Sequence, residues 1–318
     1  MITYRHFRNS DPPGLCAVWR SQPALHGRCQ PLTPLLFEPL VLAKPYFDAR
    51  GLIVAVEHDK IVGFAHAGFG AAEDRSQICR DMGVVCTVLA LPHPQHDEIC
   101  TALLARAEDY LREAGAKVMY GGQIDPLNPY YRGMYGGSEL PGVLKSDEPL
   151  HQLFVRSGYR EIDRVAVLER DLAGFRAPVD RKLMQVRRQY NVEATFDPPA
   201  ANWWEACAFG HSDRTRFVLR SIREGSTAAT VTFWDMEPLA ASWGSHAVGL
   251  LDLETQAPLR RQGLATQLLG EALRQLHAHG IARCQVQCMA GNAAALALYA
   301  KLGFQPIDEG IVLRKEPG

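Results

Sequence analysis

The sequence predicts an α/β chain made of two tandem units. Each unit is a mixed, mostly antiparallel sheet flanked by helices. Three observations lead there: an internal repeat, strand and helix patterns that interleave, and a composition suited to buried cores. The chain has 318 residues, of which 47% are hydrophobic and 22% charged. That length accommodates two domains, and that balance is the balance of a globular protein.

The repeat is legible without a gap. "LFVRSGYREIDRVAVLER" (153–170) aligns with "LYAKLGFQPIDEGIVLRK" (298–315), matching Leu153 to Leu298, Gly158 to Gly303 and Asp163 to Asp308. Upstream, "LLARAEDYLREAG" (103–115) aligns with "LLGEALRQLHAHG" (268–280). The first pair is offset by 145 residues and the second by 165, so the first unit carries a surplus between the two blocks. The surplus falls in "DPLNPYYRGMYGGSELPGVLKS" (125–146), whose Gly, Pro and Tyr content predicts a long loop. The expected division is 1–172, a linker at 173–182, and 183–318.

Each unit predicts the same order of elements. A hairpin opens it, "LIVAVE-HDK-IVGFAHAGF" in the first and "RFVLRSI-REGS-TAATVTFW" in the second. A strand follows ("GVVCTVLAL"; "AVGLLDLET"), then a long helix with apolar residues three and four apart, closed by a glycine. Next come a strand ("AKVMYGGQI"; "ARCQVQCMA"), a second helix ("PLHQLFVRSG"; "AAALALYAKLG") and a final strand pair.

Several function classes are disfavoured. A formal net charge of -1 gives no bulk attraction to nucleic acid or to a membrane surface. "MITYRHFRNS" lacks the apolar core of a signal peptide, and no apolar run approaches a membrane span. The eight cysteines form no C-x-x-C pair, and "CQVQC" reads as strand rather than as a zinc site, so no metal is expected. "HAHG" sits at a helix end, where histidines meet the helix dipole favourably. A cytoplasmic protein with reduced, mostly buried cysteines is expected.

The stretch "RRQGLATQLL" (260–269) carries the strongest chemical signal. A helix N-terminus leaves backbone N–H groups free and carries partial positive charge, so it receives a pyrophosphate if the backbone can come close. Gly263 permits that approach, Ala265 keeps the next contact small, and Arg260 and Arg261 add charge. Gln262, Leu264 and the hydroxyl of Thr266 complete the turn. The run Arg260-Arg261-Gln262-Gly263-Leu264-Ala265 resembles the acyl-CoA motif of the Gcn5-related N-acetyltransferase (GNAT) family. Asn292, Tyr299 and Gly303-Phe304 resemble that family's later element. The likeness covers roughly 185–316 and reaches the first unit only through the repeat. In tandem plan and length the chain is similar to the mycothiol synthases.

The resemblance implies acetyl-CoA as cofactor and Tyr299 as the acid that protonates the departing thiolate. It also implies that the pantetheine arm lies along the strand at Leu253, Glu254 and Thr255. Asn292 and Tyr299 complete the expected cofactor contacts. The family often places a base, a glutamate, in that strand, and the aligned position here is Gly249. Asp252, Glu254 and His246 are the nearby candidates, with Asp252 put forward.

The first unit departs from the motif. Gln95, Glu98 and Cys100 stand where the second has Arg260, Gly263 and Ala265, and Phe154 stands at the place of Tyr299. Asp97 and Glu98 suit a helix start but repel a pyrophosphate. This predicts a degenerate unit that packs against the active one, or one whose loop residues Tyr130, Tyr131, Arg132 and Tyr135 help to form the acceptor site. The resemblance implies an acetyl-CoA-dependent N-acetyltransferase with catalysis in the second unit and a small-molecule amine as partner. The alternatives are a non-catalytic acyl-CoA-binding scaffold and an enzyme that acetylates protein N-termini or lysines.

Overall fold

The computed structural model describes residues 1–316. The first repeat contains β1 (Ile2–His6), α1 (Pro12–Arg20), α2 (Pro34–Phe37), β2 (Leu52–Glu57), β3 (Lys60–Ala71) and β4 (Ile78–Ala90). It continues with α3 (His96–Glu113), β5 (Val118–Gly121), β6 (Val143–Leu144), α4 (Glu148–Arg156) and β7 (Arg160–Asp171). The second repeat contains α5 (Arg181–Gln189), β8 (Tyr190–Phe196), α6 (Trp203–Phe209), β9 (Arg214–Ser221), β10 (Thr227–Asp235), α7 (Glu237–Trp243) and β11 (Ala247–Thr255). It ends with α8 (Leu264–Ala278), β12 (Arg283–Met289), α9 (Ala293–Lys301) and β13 (Gln305–Lys315). The repeat holds to the residue at α4 and α9, which begin and end at aligned positions.

The two sheets run into one. The strand order is β1-β2-β3-β4-β5-β13-β7-β12-β11-β10-β9-β8, with β6 beside β13. Each repeat therefore ends in a single long strand rather than a pair, and the two repeats exchange these strands. β7 of the first repeat pairs antiparallel with β12, and β13 of the second pairs antiparallel with β5. β7 and β13 also pair with each other. The likeness of the two repeat sequences makes the exchange possible, because either terminal strand presents a similar apolar face to either sheet.

The core follows the same plan. One apolar cluster packs α8 (Leu268, Leu269, Leu273) on Val231, Phe233, Leu250 and Val286 of the second sheet. A second packs α3 and α4 on the first sheet, with Phe154 at its centre. A third spans both repeats, joining Trp19, Phe37 and Tyr131 to Trp234, Met236 and Leu239. The surplus segment 125–146 lies inside this joint core. Tyr130 and Tyr131 are 2% and 1% exposed, so they are packing residues rather than acceptor contacts. Their hydroxyls are spent on protein partners: Tyr131 on His66 Nδ1 at 3.0 Å and Tyr130 on the Tyr46 carbonyl at 3.1 Å. Tyr135 donates to Asp147.

Candidate active site

The cleft arises where two parallel strands part. β11 and β12 pair only at Ala247–Gly249 and Arg283–Gln285. Beyond Gly249 the β12-facing edge of β11 is free, and a cleft of about 380 Å³ opens between Leu250–Leu253 and Val286–Met289. β11 also carries a bulge. Thr230 faces Glu254 while Thr232 faces Leu251, so one extra residue is accommodated at 252–253. Asp252 takes it up with φ +48, a left-handed conformation uncommon outside glycine. A bulge re-aims a side chain, and here Asp252 lines the cleft whereas Glu254 does not. His246 lies before the first residue of β11, at the opposite end of the strand from the cleft.

Past β11 the chain turns into α8. Arg261 has φ +62 and Gly263 φ +88. Among the described residues, no backbone or side-chain acceptor meets the N–H groups of Arg261 to Thr266. The cations around this turn come from two elements. Arg260 and Arg261 are exposed on it, and Lys182 of α5 donates to the Arg261 carbonyl at 2.8 Å. Gln262 is exposed, Leu264 and Thr266 are buried, and Ala265 is half-buried. Lys182 was not legible as a site residue, because its nearness to 261 is tertiary. Free amides, a left-handed glycine and three cations form a cradle that fits a pyrophosphate. The free edge of β11 at Leu253–Thr255 fits an extended arm with amide groups. An acyl-CoA donor therefore fits the residues present.

At the far end of the cleft stands α9. Asn292 caps it, its side chain accepting from the Ala295 N–H at 3.2 Å. Tyr299 is 5% exposed, packs edge-on against Phe304 and lines the cleft. Burial, and then the neighbouring Cys288, Cys284 and Glu139, raise its pKa. Tyr299 thus stays protonated across the physiological range.

The first repeat completes the cleft. Asp125 and Glu139, from the surplus segment, face Asp252 across it, and Val165 of β7 forms part of the wall. Neither Glu139 nor Asp252 pairs through its carboxylate with a described residue. Asp252 is open to water on one side; burial on the others, with the charges of Glu205 and Asp125, raises its pKa. Arg132 lies beneath the cluster, 9% exposed, with Nε and Nη1 unpartnered. The sequence could not reveal Glu139 as a site residue. It sits in an irregular loop, and no periodicity says where such a loop goes.

The corresponding region of the first repeat differs at every point. The start of α3 holds no glycine and no positive φ; Asp97 there pairs with Arg156 at 3.3 Å. Phe154 is fully buried against Tyr159 and closes over Gly121.

The GNAT acetyltransferase family model matches residues 181–304. This segment is similar to a GNAT acetyltransferase domain. The whole chain has the tandem form of that fold. It resembles a tandem GNAT protein from the clavulanic acid biosynthesis pathway, at 14% identity over 100% of this chain and 99% of that one, with a TM-score of 0.72. It also resembles the GCN5-related glucosamine N-acetyltransferase region of a fungal multi-domain GH3 β-N-acetylglucosaminidase, at 17% identity and a TM-score of 0.71. That match covers 99% of this chain but only 38% of the fungal protein. A GCN5-related N-acetyltransferase from Sphaerobacter thermophilus aligns at 15% identity over 100% of this chain and 96% of its own, with a TM-score of 0.61. No curated protein sequence matches the chain. No helix among the described residues is long and apolar enough to cross a membrane.

Proposed function

We propose that the chain is an N-acetyltransferase that moves an acetyl group from acetyl-CoA to a small-molecule amine, in the cleft of its second repeat. The parting of β11 and β12 carries this reading. It leaves one free strand edge that runs from Tyr299 towards the unbonded amides of the Gly263 turn. In the proposal Arg260 to Thr266 and Lys182 hold the pyrophosphate, Leu253 to Thr255 hold the pantetheine arm, and Asn292 borders the thioester end. The thioester supplies an acyl carbon open to attack. Tyr299 donates its proton to the sulfur as the C–S bond breaks. The carboxylates of Asp252 and Asp125 draw an ammonium group into the cleft and orient it. A cleft of about 380 Å³ suits the thioester tip and a small amine, within the usual range of ligand pockets.

Gly263→Glu tests the donor site. It puts bulk and negative charge where phosphate oxygens would sit, and calorimetry is expected to show CoA affinity reduced at least tenfold. Binding as tight as that of the unaltered protein would place the donor elsewhere. Thiol release, followed with a panel of small amines and of peptides, tests the acceptor. Turnover on peptides alone would favour the protein acetyltransferase, and CoA binding without turnover on either would favour the scaffold.

A further inference from the structure

We infer that Glu139, carried by the first repeat, is the general base for the transfer in the second. The inference rests on the N-acetyltransferase reading above. Its warrant is the packing at Gly249, the position that aligns with the family's usual strand glutamate. A Cβ on Gly249 would lie 2.9 Å from both the Cα and the Cβ of Ser138 and would collide with Trp234 Nε1. No side chain fits there, because the loop of the first repeat already occupies the space. The residue after Ser138 is Glu139, and its carboxylate enters the same cleft. The loop that excludes a carboxylate from β11 delivers another one.

The loop is held firmly enough to place a catalytic group. Trp234 Nε1 donates to the Ser138 carbonyl at 2.9 Å. Gln287 Nε2 donates to the carbonyls of Glu139 at 2.7 Å and Gly136 at 3.2 Å. These bonds come from β10 and β12, so the strands on either side of β11 clamp the backbone around Glu139. Its side chain has no bond to a described residue and is left to the cleft.

The groups around it suit the role. Arg132 lies below it, and Asp125, with its Arg75 partner, and Asp252 face it. Cys288 and Tyr299 stand on the donor side. Burial first, with Asp125 and Asp252 adding to it, pushes Glu139 up to about 7 against the pull of Arg132 and Arg75. A carboxylate poised there is charged often enough to accept a proton and basic enough to want one. Asp252 is wetter and serves better to hold the cation than to deprotonate it.

The step balances. The amine arrives as R–NH3⁺, and Glu139 takes one proton, directly or through a water. The freed lone pair forms the N–C bond to the acetyl carbon, and the C–S bond breaks with its electron pair on sulfur. Tyr299 protonates that sulfur, and the second proton lost by nitrogen restores Tyr299. The products are R–NH–acetyl and CoA thiol, and Glu139 returns its proton to solvent. The acceptor class follows: an amine that is cationic at neutral pH, admitted by three carboxylates.

The test uses the full chain and Glu139→Gln, an isosteric change that leaves the Gln287 bond to the backbone intact. Wild-type kcat/KM for the accepted amine is expected to rise with pH through about 7 and then level. The Gln variant is expected to lose on the order of 10²-fold at neutral pH. Its deficit should shrink towards the amine's own pKa, roughly 10 for an alkylamine, where free amine no longer needs a base. CoA affinity should stay unchanged. Asp252→Asn should raise KM and keep the rise with pH. Slow hydrolysis of acetyl-CoA, with water in place of the amine, gives a readout that needs no acceptor, and Glu139→Gln should lower it too. A deficit constant across pH, or full activity with the wild-type profile, overturns the assignment and leaves the transferase reading standing. A wild-type chain that binds no CoA and releases no thiol sinks that reading and the base with it.

Discussion

Ser138 and Gly249 belong to different repeats, yet the Cα of Ser138 sits 2.9 Å from the point a Cβ on Gly249 would occupy. A glycine that reads in the sequence as a missing catalytic residue is a packing requirement in the structure. Restoring glutamate there should damage the protein rather than improve it. The obstacle is backbone held by the Trp234 bond, so it cannot swing aside as a flexible side chain would. Gly249→Glu is expected to cost about 3 kcal/mol, the upper end for overpacking. A thermal melt checks this. A variant as stable as the wild type, with higher turnover, would show that the loop is readily displaced.

One CoA should bind per chain. Asp97 and Glu98 at the start of α3 occupy the place of the Gly263 turn, and Phe154 fills the region that Tyr299 leaves open in the second repeat. Titration calorimetry reads the stoichiometry. A value of two would require a pyrophosphate site in the first repeat that tolerates two carboxylates.

Tyr299→Phe should keep the fold, since Phe154 is the same side chain in the matched helix and packs fully. Turnover should fall on the order of 10²-fold, the small end for loss of a general acid. The small end is expected for two reasons. A thiolate is a good leaving group, and the raised pKa of Tyr299 keeps its proton in place but makes it a weak acid. CoA affinity should not change. Equal kcat with chemistry rate-limiting would make Tyr299 a packing residue only.

The second repeat should not fold alone. Residues 173–318 lack β7, so β12 would expose its edge from Arg283 to Met289, and β13 would lose β5 and β7 together. Unpaired apolar edges aggregate. Expressed alone, this piece is expected to be insoluble. Co-expression with residues 1–172 should rescue it. A soluble, CoA-binding fragment would mean that β13 can fold back into the place of β7.

Glu139 also links stability to pH. Its folded pKa lies above the ordinary carboxylate value, so the folded state holds its proton more tightly than the unfolded chain does. Its contribution therefore weakens as pH rises from about 4.5 to about 7. Glu139→Gln should raise the melting temperature at pH 8 more than at pH 5. An equal shift at both would place the carboxyl in ordinary solvent.

Much was written locally. The matched glycines Gly158 and Gly303, the apolar stripes of α3 and α8 and the Gly263 turn all follow from short-range spacing, and each element formed where its pattern lay. Helix period, strand period and turn chemistry are properties of neighbouring residues, so one chain reveals them. The register of the two repeats is of the same kind. Two things were decided only by tertiary structure. One is which sheet each terminal strand joins. β7 and β13 carry nearly the same pattern, so the pattern alone does not say which sheet each joins; the pairings with β12 and β5 do. The other is the partner of Gly249. Whether its missing side chain leaves a vacancy or makes room depends on the Ser138–Glu139 backbone, brought there by a loop with no periodicity of its own and fixed by Trp234 and Gln287 from strands of the other repeat.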